Sequence, residues 1–341
     1  MKKRFLQGSL LTIALLITGA MCTAQLTLPS KPNDVPLRWM PLIGEYRSAS
    51  DTLILLEQGE RLWFAWKEGT RKQVEEVGST YIVSANQWKH SVDTVFFSRS
   101  GRTTLGTVTY QGRSYTQIFS LALPVESDHI TPLKSIAELK KQAAEALPPV
   151  EQGDFLQSDL VEVSALDSTI MLDIRYATSN NFMGTPFYSQ AKAFLQRPAA
   201  EALVRVHHAL KPYGLGVLVF DGYRPWVVTK MFWEATPADK KEFVADPAKG
   251  SRHNRGCAVD VSFYQLVTGT PVQMVSGYDE FSHRAYPNYK GGTSLQHWYR
   301  DLLKQAMAQE GFTMYESEWW HFDYRDWKRY SIGIKTFEEL K

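Results

Sequence analysis

Two segments of the sequence bring metal-ligating side chains together with side chains able to move protons. In Ser251-Arg252-His253-Asn254-Arg255-Gly256-Cys257-Ala258-Val259-Asp260, an imidazole stands just before an apolar run and a carboxylate stands inside it. Asp260 is flanked by Ala258, Val259, Val261 and Phe263. A buried, unpaired carboxylate costs several kcal/mol, so it needs a cation or hydrogen-bond donors. A metal shared with His253 meets that need; taken alone, this segment is equally compatible with a salt bridge to Lys or Arg. The second segment, Glu318-Trp319-Trp320-His321, offers a third ligand and an acid three residues before it. Two His and one Asp leave the fourth position of a tetrahedral zinc open, the arrangement of catalytic rather than structural sites. An isolated Glu-x-x-His is a weak signal, and a His hydrogen-bonded in an aromatic core explains it as well. Beside the first segment it reads as a ligand, His321, and a general acid/base, Glu318.

Strands and tight turns must hold these groups. Residues 257–263 read as a strand, turned by Thr268-Gly269-Thr270-Pro271, and residues 312–315 and 319–324 as closing strands. An amphipathic helix over 295–309 stops at Gly311. Residues 215–220 form an apolar strand that runs into Asp221-Gly222-Tyr223-Arg224-Pro225, a turn fixed by its Gly and Pro. A helix over 198–210 opens with Pro198, and residues 170–175 read as a strand. Without a regular β-α-β alternation, this half is expected to be α+β, a mixed catalytic domain with an antiparallel sheet and flanking helices.

Upstream the pattern differs. Short β-rich runs at 52–56, 62–66, 81–84, 94–97, 107–110 and 115–119 are punctuated by Gly59, Gly69, Gly78, Gly101 and Gly112, which predicts a small antiparallel sandwich or barrel. A helix follows, with Ser135 and Glu138 as a capping box and Leu133, Ile136, Leu139, Ala143 and Leu147 at helical spacing; Pro148-Pro149 stops it. The expected organisation is a signal peptide over 1–24, a small all-β domain with a C-terminal helix over 25–147, a linker over 148–157 and the catalytic domain over 158–341.

Composition narrows the function classes. The 341 residues are 44% apolar and 22% charged, a globular composition with net charge +2 and no basic cluster interleaved with aromatics, so a nucleic-acid partner is excluded. Lys2, Lys3 and Arg4, the apolar run 10–20 and the small residues up to Ala24 read as a cleavable signal, too short for a membrane span. The expectation is an exported protein, periplasmic or at the cell surface, cleaved after Ala24; Cys22 follows Met21, a large residue for a lipidation site. Cys257 is then the one cysteine left, so no intramolecular disulfide forms.

Taken in order, Ser-x-His-x-x-Gly-x-Ala-x-Asp at 251–260 and Glu-x-Trp-His at 318–321 resemble the VanX-type D-alanyl-D-alanine dipeptidases, a zinc peptidase family that also contains D-Ala-D-Ala carboxypeptidases. Tyr176-Ala177-Thr178, Asn181-Phe182-x-Gly184, Asp221-Gly222-Tyr223-Arg224-Pro225 and the Asp279 region extend the resemblance over residues 160–324. It implies one zinc per chain on His253, Asp260 and His321, Glu318 as catalytic base and Arg224 stabilising the transition state. It further implies that Asp279 and Tyr176 hold the substrate's ammonium and that Ser251 contacts its carboxylate. Arg252 and Cys257 depart from the small or hydroxyl residues expected there, and the β domain has no counterpart in the minimal enzymes.

The reaction so implied is hydrolysis of D-Ala-D-Ala in peptidoglycan metabolism. A carboxypeptidase acting on stem peptides and a non-catalytic, zinc-stabilised cell-wall binding module are the alternatives; retention of Glu318 favours catalysis, because a binding module has no use for the base. An exposed ion pair for Arg224 and a solvated loop acid for Asp279 are the plainer readings of those residues. The partner of the β domain is open, and His90, His129, His207, His208, His283 and His297 read as surface or core histidines.

Overall fold

A computed structural model describes residues 26, 28–66, 69–84, 92–98, 106–123 and 129–340. The expected signal segment and Cys22 lie outside the described residues, as does His90. No helix among the described residues is long and apolar enough to cross a membrane.

The N-terminal strands are β1 (Gly44–Arg47), β2 (Thr52–Glu57), β3 (Leu62–Trp66), β4 (Arg71–Val77), β5 (Thr80–Ser84), β6 (Val92–Ser98), β7 (Thr107–Tyr110) and β8 (Arg113–Ser120). Each pairs antiparallel with the next, and β1 pairs with β8, closing a barrel. Leu53, Leu55, Leu62, Phe64, Val83 and Val108 pack inside it. Closure needs a glycine: a Cβ on Gly44 would overlap the Phe119 carbonyl. The next step, between Glu45 and Tyr46, is a register irregularity in the β1–β8 ladder, the kind of bulge that re-aims a side chain.

Two barrel strands lack a sequence signal. β1 is short and opens on glycine. β4 reads Arg-Lys-Gln-Val-Glu-Glu-Val, with Val74 its one buried residue, so its charges hide the alternation. The helix α1 (Ile136–Glu145) starts at Ser135, whose hydroxyl accepts from the Glu138 amide. It is shorter than expected: Leu133 and Leu147 lie outside it, 62% and 87% exposed, and Leu139 and Ala143 pack into the core of the C-terminal half.

That half contains β9 (Leu160–Glu162), α2 (Val163–Leu166), β10 (Met171–Leu172), β11 (Phe194–Gln196), α3 (Arg197–Leu210), β12 (Leu215–Asp221), α4 (Trp226–Ala235), β13 (Ala258–Gln265), α5 (Ser294–Gln309), β14 (Phe312–Met314) and β15 (His321–Tyr324). Its main sheet has the order β10-β12-β13-β15-β14. The expected antiparallel sheet needs one correction, since β10 runs parallel to β12. The expected strand over 170–175 is reduced to β10, because the chain turns into a short 3-10 helix at Arg175–Ala177. The turn at Arg224 leads from strand to helix as expected, but the extent of α4 has no sequence signal: Trp226, Val228, Met231, Phe232 and Ala235 are all buried, and such an apolar run carries little helical period. The sheet is α+β in class, with α3 against β12 and α5.

Candidate metal centre and catalytic cleft

Sheet register assembles the centre. Asp260 lies in the middle strand β13, directly opposite Asp221 of β12 on one side and His321 of β15 on the other. His253 arrives from a short 3-10 turn, His253–Arg255, whose left-handed end at Gly256 (φ 66°) steers the chain into β13. Ser251 shapes that turn, its hydroxyl accepting from the His253 amide at 3.1 Å.

Three ligand atoms converge. His253 Nε2 lies 3.1 Å from His321 Nδ1 and 3.4 Å from Asp260 Oδ1, and His321 Nδ1 lies 3.1 Å from the same oxygen. Atoms about 2.0–2.1 Å from a common centre in a tetrahedral zinc site lie about 3.3–3.4 Å apart, close to this spacing. Asp260 Oδ1 is buried and receives no hydrogen bond, so a cation among these donors satisfies it. The electrostatics agree. Burial disfavours an imidazolium at His321, yet the adjacent Asp260 and Asp323 carboxylates outweigh that and push its pKa up to about 10. Burial alone would raise the Asp260 carboxyl, but the imidazoles hold it well below the carboxylate range. The pocket therefore favours positive charge between the rings, and a divalent ion fits it.

Further residues orient the ligands. His253 Nδ1 faces the Gly222 carbonyl at 2.8 Å, and His321 Nε2 faces Asp323 Oδ1 at 3.0 Å. Tyr278 donates to Asp260 Oδ2 at 2.9 Å. Neither Asp323 nor Tyr278 was singled out from sequence, because each acts through a neighbour rather than through a motif of its own.

The other expected site residues line the same cleft: Tyr176, Arg224, Ser251, Asp279 and Glu318. Glu318 Oε2 is 3.8 Å from His321 Nδ1, and burial pushes its pKa up to about 7. Arg224 is buried, not surface-paired; its Nε and Nη2 donate to Asp221 Oδ2 at 3.0 and 2.8 Å. Asp221 is itself held by the Tyr188 hydroxyl and the Gly222 amide. The Arg224 guanidinium also lies 5.1 Å from the ring centres of both Tyr176 and Phe232.

Asp279 is 7% exposed, so it is not a solvated loop acid. Tyr176 donates to its Oδ1 at 3.1 Å, while Oδ2 is buried and receives no hydrogen bond. Burial and the nearby Asp260 charge push its pKa well above the carboxylate range. Cys257 is buried and its thiol is raised to about 12 by burial, so it takes no part in the cleft. His207 is a core residue, its Nδ1 accepting from the Val217 amide.

Residues 157–338 match the model of the Peptidase M15 family, described as D-ala-D-ala dipeptidase. The chain is 30% identical over 166 residues to the D-alanyl-D-alanine dipeptidase of Escherichia coli K12, covering 49% of this chain and 84% of that protein. It is 32% identical over 172 residues to the enzyme of the same description from Enterococcus faecium, covering 45% and 85%. For Enterococcus faecalis the identity is 33% over 170 residues, covering 44% and 83%. The barrel lies outside the family match.

Proposed function

The chain belongs to the Peptidase M15 family of D-Ala-D-Ala dipeptidases and is a metallopeptidase hydrolase, and from that premise we propose that it hydrolyses D-alanyl-D-alanine to two D-alanines with one zinc held by His253, Asp260 and His321. Zinc, when bound there, supplies Lewis acidity that acidifies water and polarises the scissile carbonyl. Glu318 takes a proton from the attacking water and delivers it to the leaving amine; burial raises its carboxyl above its ordinary value, towards the range in which both transfers are easy. Arg224, held rigid by Asp221, meets the charge that develops on the carbonyl oxygen. Ser251 lies at the cleft, where it is assigned to the substrate carboxylate. The basic, apolar and small-residue pattern of residues 1–24 supports export to the periplasm or cell surface, where peptidoglycan fragments occur.

The observation that carries this reading is the unpartnered Asp279 Oδ2. Burial holds the Asp279 carboxyl neutral until a cation arrives beside Oδ2 to stabilise its charged form, and a dipeptide brings such a cation in its free ammonium. A charge-assisted bond of that kind contributes about 1.5–3 kcal/mol, whereas an acylated amine leaves the carboxylate unpaired. Purified protein with about one zinc per chain is expected to release alanine from D-Ala-D-Ala and to cleave N-acetyl-D-Ala-D-Ala at least about tenfold more slowly. Equal rates on the two substrates would make the protein a carboxypeptidase on stem peptides and leave the zinc site standing. Zinc binding without turnover of either would make it a binding module.

A further inference from the structure

We propose that the N-terminal barrel is a brace for the loop that presents Asp279, so that Glu45 acts as a positioning residue for binding of the substrate amine. This rests on the reading of Asp279 given above.

The argument starts at three consecutive residues. Tyr278 donates to the metal ligand Asp260, Asp279 turns its free oxygen into the cleft, and Glu280 points the other way, towards the barrel. Such divergence requires an unusual backbone, and Asp279 is indeed left-handed, at φ 58°. A non-glycine residue in that region is strained and persists where its surroundings over-determine it. Glu280 supplies the local restraint. It is 2% exposed, accepts from the Gly277 amide at 3.0 Å and from the Ser282 hydroxyl at 2.6 Å, and binds the Arg284 guanidinium.

Arg284 passes the restraint across the boundary between the halves. Its Nη1 donates to Glu45 Oε2 at 3.2 Å, and its guanidinium stacks 4.3 Å from the ring centre of Phe119 in β8. Glu45 also accepts from Tyr289 at 2.7 Å and faces His283 Nε2 at 3.0 Å. It is 1% exposed and sits at the β1–β8 irregularity, which aims it out of the barrel. Burial alone would raise its carboxyl, but the bond from His283 and the charge of Arg284 hold it below its ordinary value, ionised in place.

A second barrel carboxylate fixes the far end of the same loop. Glu57 accepts from the Ser294 amide at 2.7 Å, and its own amide donates to the Gly292 carbonyl. Between these anchors the loop also touches the base segment, since the Ala285 carbonyl accepts from the Trp319 amide next to Glu318. The barrel thus clamps one loop at two points, and that loop carries the amine-binding carboxylate at its start. Truncating one member of such a buried network leaves the others unpaired, so the loop's strained residue loses its hold.

The test uses the full chain. In Glu45→Gln, amide hydrogen exchange over residues 276–294 is expected to rise. kcat/KM for D-Ala-D-Ala is expected to fall about tenfold, mainly through KM, with zinc content kept and the N-acetyl substrate little affected. Arg284→Lys, which alters the same pair from the other side, is expected to reproduce both changes and serves if the first variant folds poorly. Glu76→Gln, which weakens the barrel's own Arg38 pair away from this contact, is expected to leave loop exchange and the substrate ratio alone. Unchanged exchange in both brace variants overturns the brace, and faster exchange with an unchanged substrate ratio overturns its positioning role. If the wild type does not turn over D-Ala-D-Ala, the proposed function fails, while the exchange result still decides whether the barrel holds the loop.

Discussion

The barrel and the C-terminal half bury their side chains to different ends. Inside the barrel, Leu53, Leu55, Leu62, Phe64, Val83 and Val108 meet one another, and the carboxylates buried on its strands, Glu45 and Glu57, reach out to the other half. In the C-terminal half, Arg224, His253, Asp260, Asp279 and His321 line one cleft, with Asp221 behind Arg224, and all six are no more than 8% exposed. Burying charge costs several kcal/mol per ion unless it is paired, so a fold that buries six such groups together has spent stability on them. The difference teaches where to look: two oxygens of the cluster, Asp260 Oδ1 and Asp279 Oδ2, receive no hydrogen bond, and these face the metal and the substrate amine in the proposed reaction.

If this division holds, substitutions in the cleft should move turnover far more than stability. The largest expected effect is at Glu318. Glu318→Gln is expected to keep its zinc and lose about 10²–10⁴-fold in kcat, measured by alanine release beside metal analysis. Near-normal turnover would remove Glu318 from the mechanism and weaken the contrast between the halves. His321→Ala, by comparison, should lose the metal itself.

Asp279→Asn sharpens the contrast further, because its two effects should have opposite signs. Loss of the ammonium partner is expected to lower kcat/KM on D-Ala-D-Ala by about 10–100-fold. Stability should move the other way. Asp279 has a folded pKa raised above its unfolded value, so its contribution is full below the unfolded pKa and is lost as pH rises through the folded one. Asparagine escapes that loss and tolerates the left-handed backbone, so a gain on the order of 1 kcal/mol above neutral pH is expected in denaturant unfolding. A less stable Asn variant at pH 8 would show that Asp279 is held by a partner in the free protein.

The smallest of these effects is the pH profile. Glu318 must be ionised to accept a proton, so kcat/KM should rise with pH, with a midpoint no higher than about 7, since a bound divalent cation lowers it from there. A profile that falls through this range would contradict its role as base in the free enzyme.

Legibility from sequence followed the range of the forces involved. His253, Asp260, His321 and Glu318 could be picked out as candidates, because a carboxylate in an apolar run and a His after paired tryptophans are local anomalies, whereas the role of Arg224 came from the family resemblance alone. Most barrel strands could be read too, since β3 and β7 alternate or cluster their apolar residues over a few positions. β4 could not, because Val74 is its one buried residue and charged side chains occupy both faces around it, and the extent of α4 could not, because its apolar residues surround the helix axis.

What the chain alone determined, then, was the identity of the reactive groups and the local shape of the elements that carry them. Tertiary structure decided their partners. Asp221 stands three residues from Arg224, but only the β12–β13 register sets it beside Asp260 and gives the guanidinium a fixed anchor. Tyr278 meets Asp260 from 18 residues away, and Glu45 meets Tyr289 across 244. Pairings at such separations leave no periodic trace, because they depend on strand register and on how two independently closed cores dock. The energy that selects them is the cost of an unpaired buried charge, which exists only once the chain has folded.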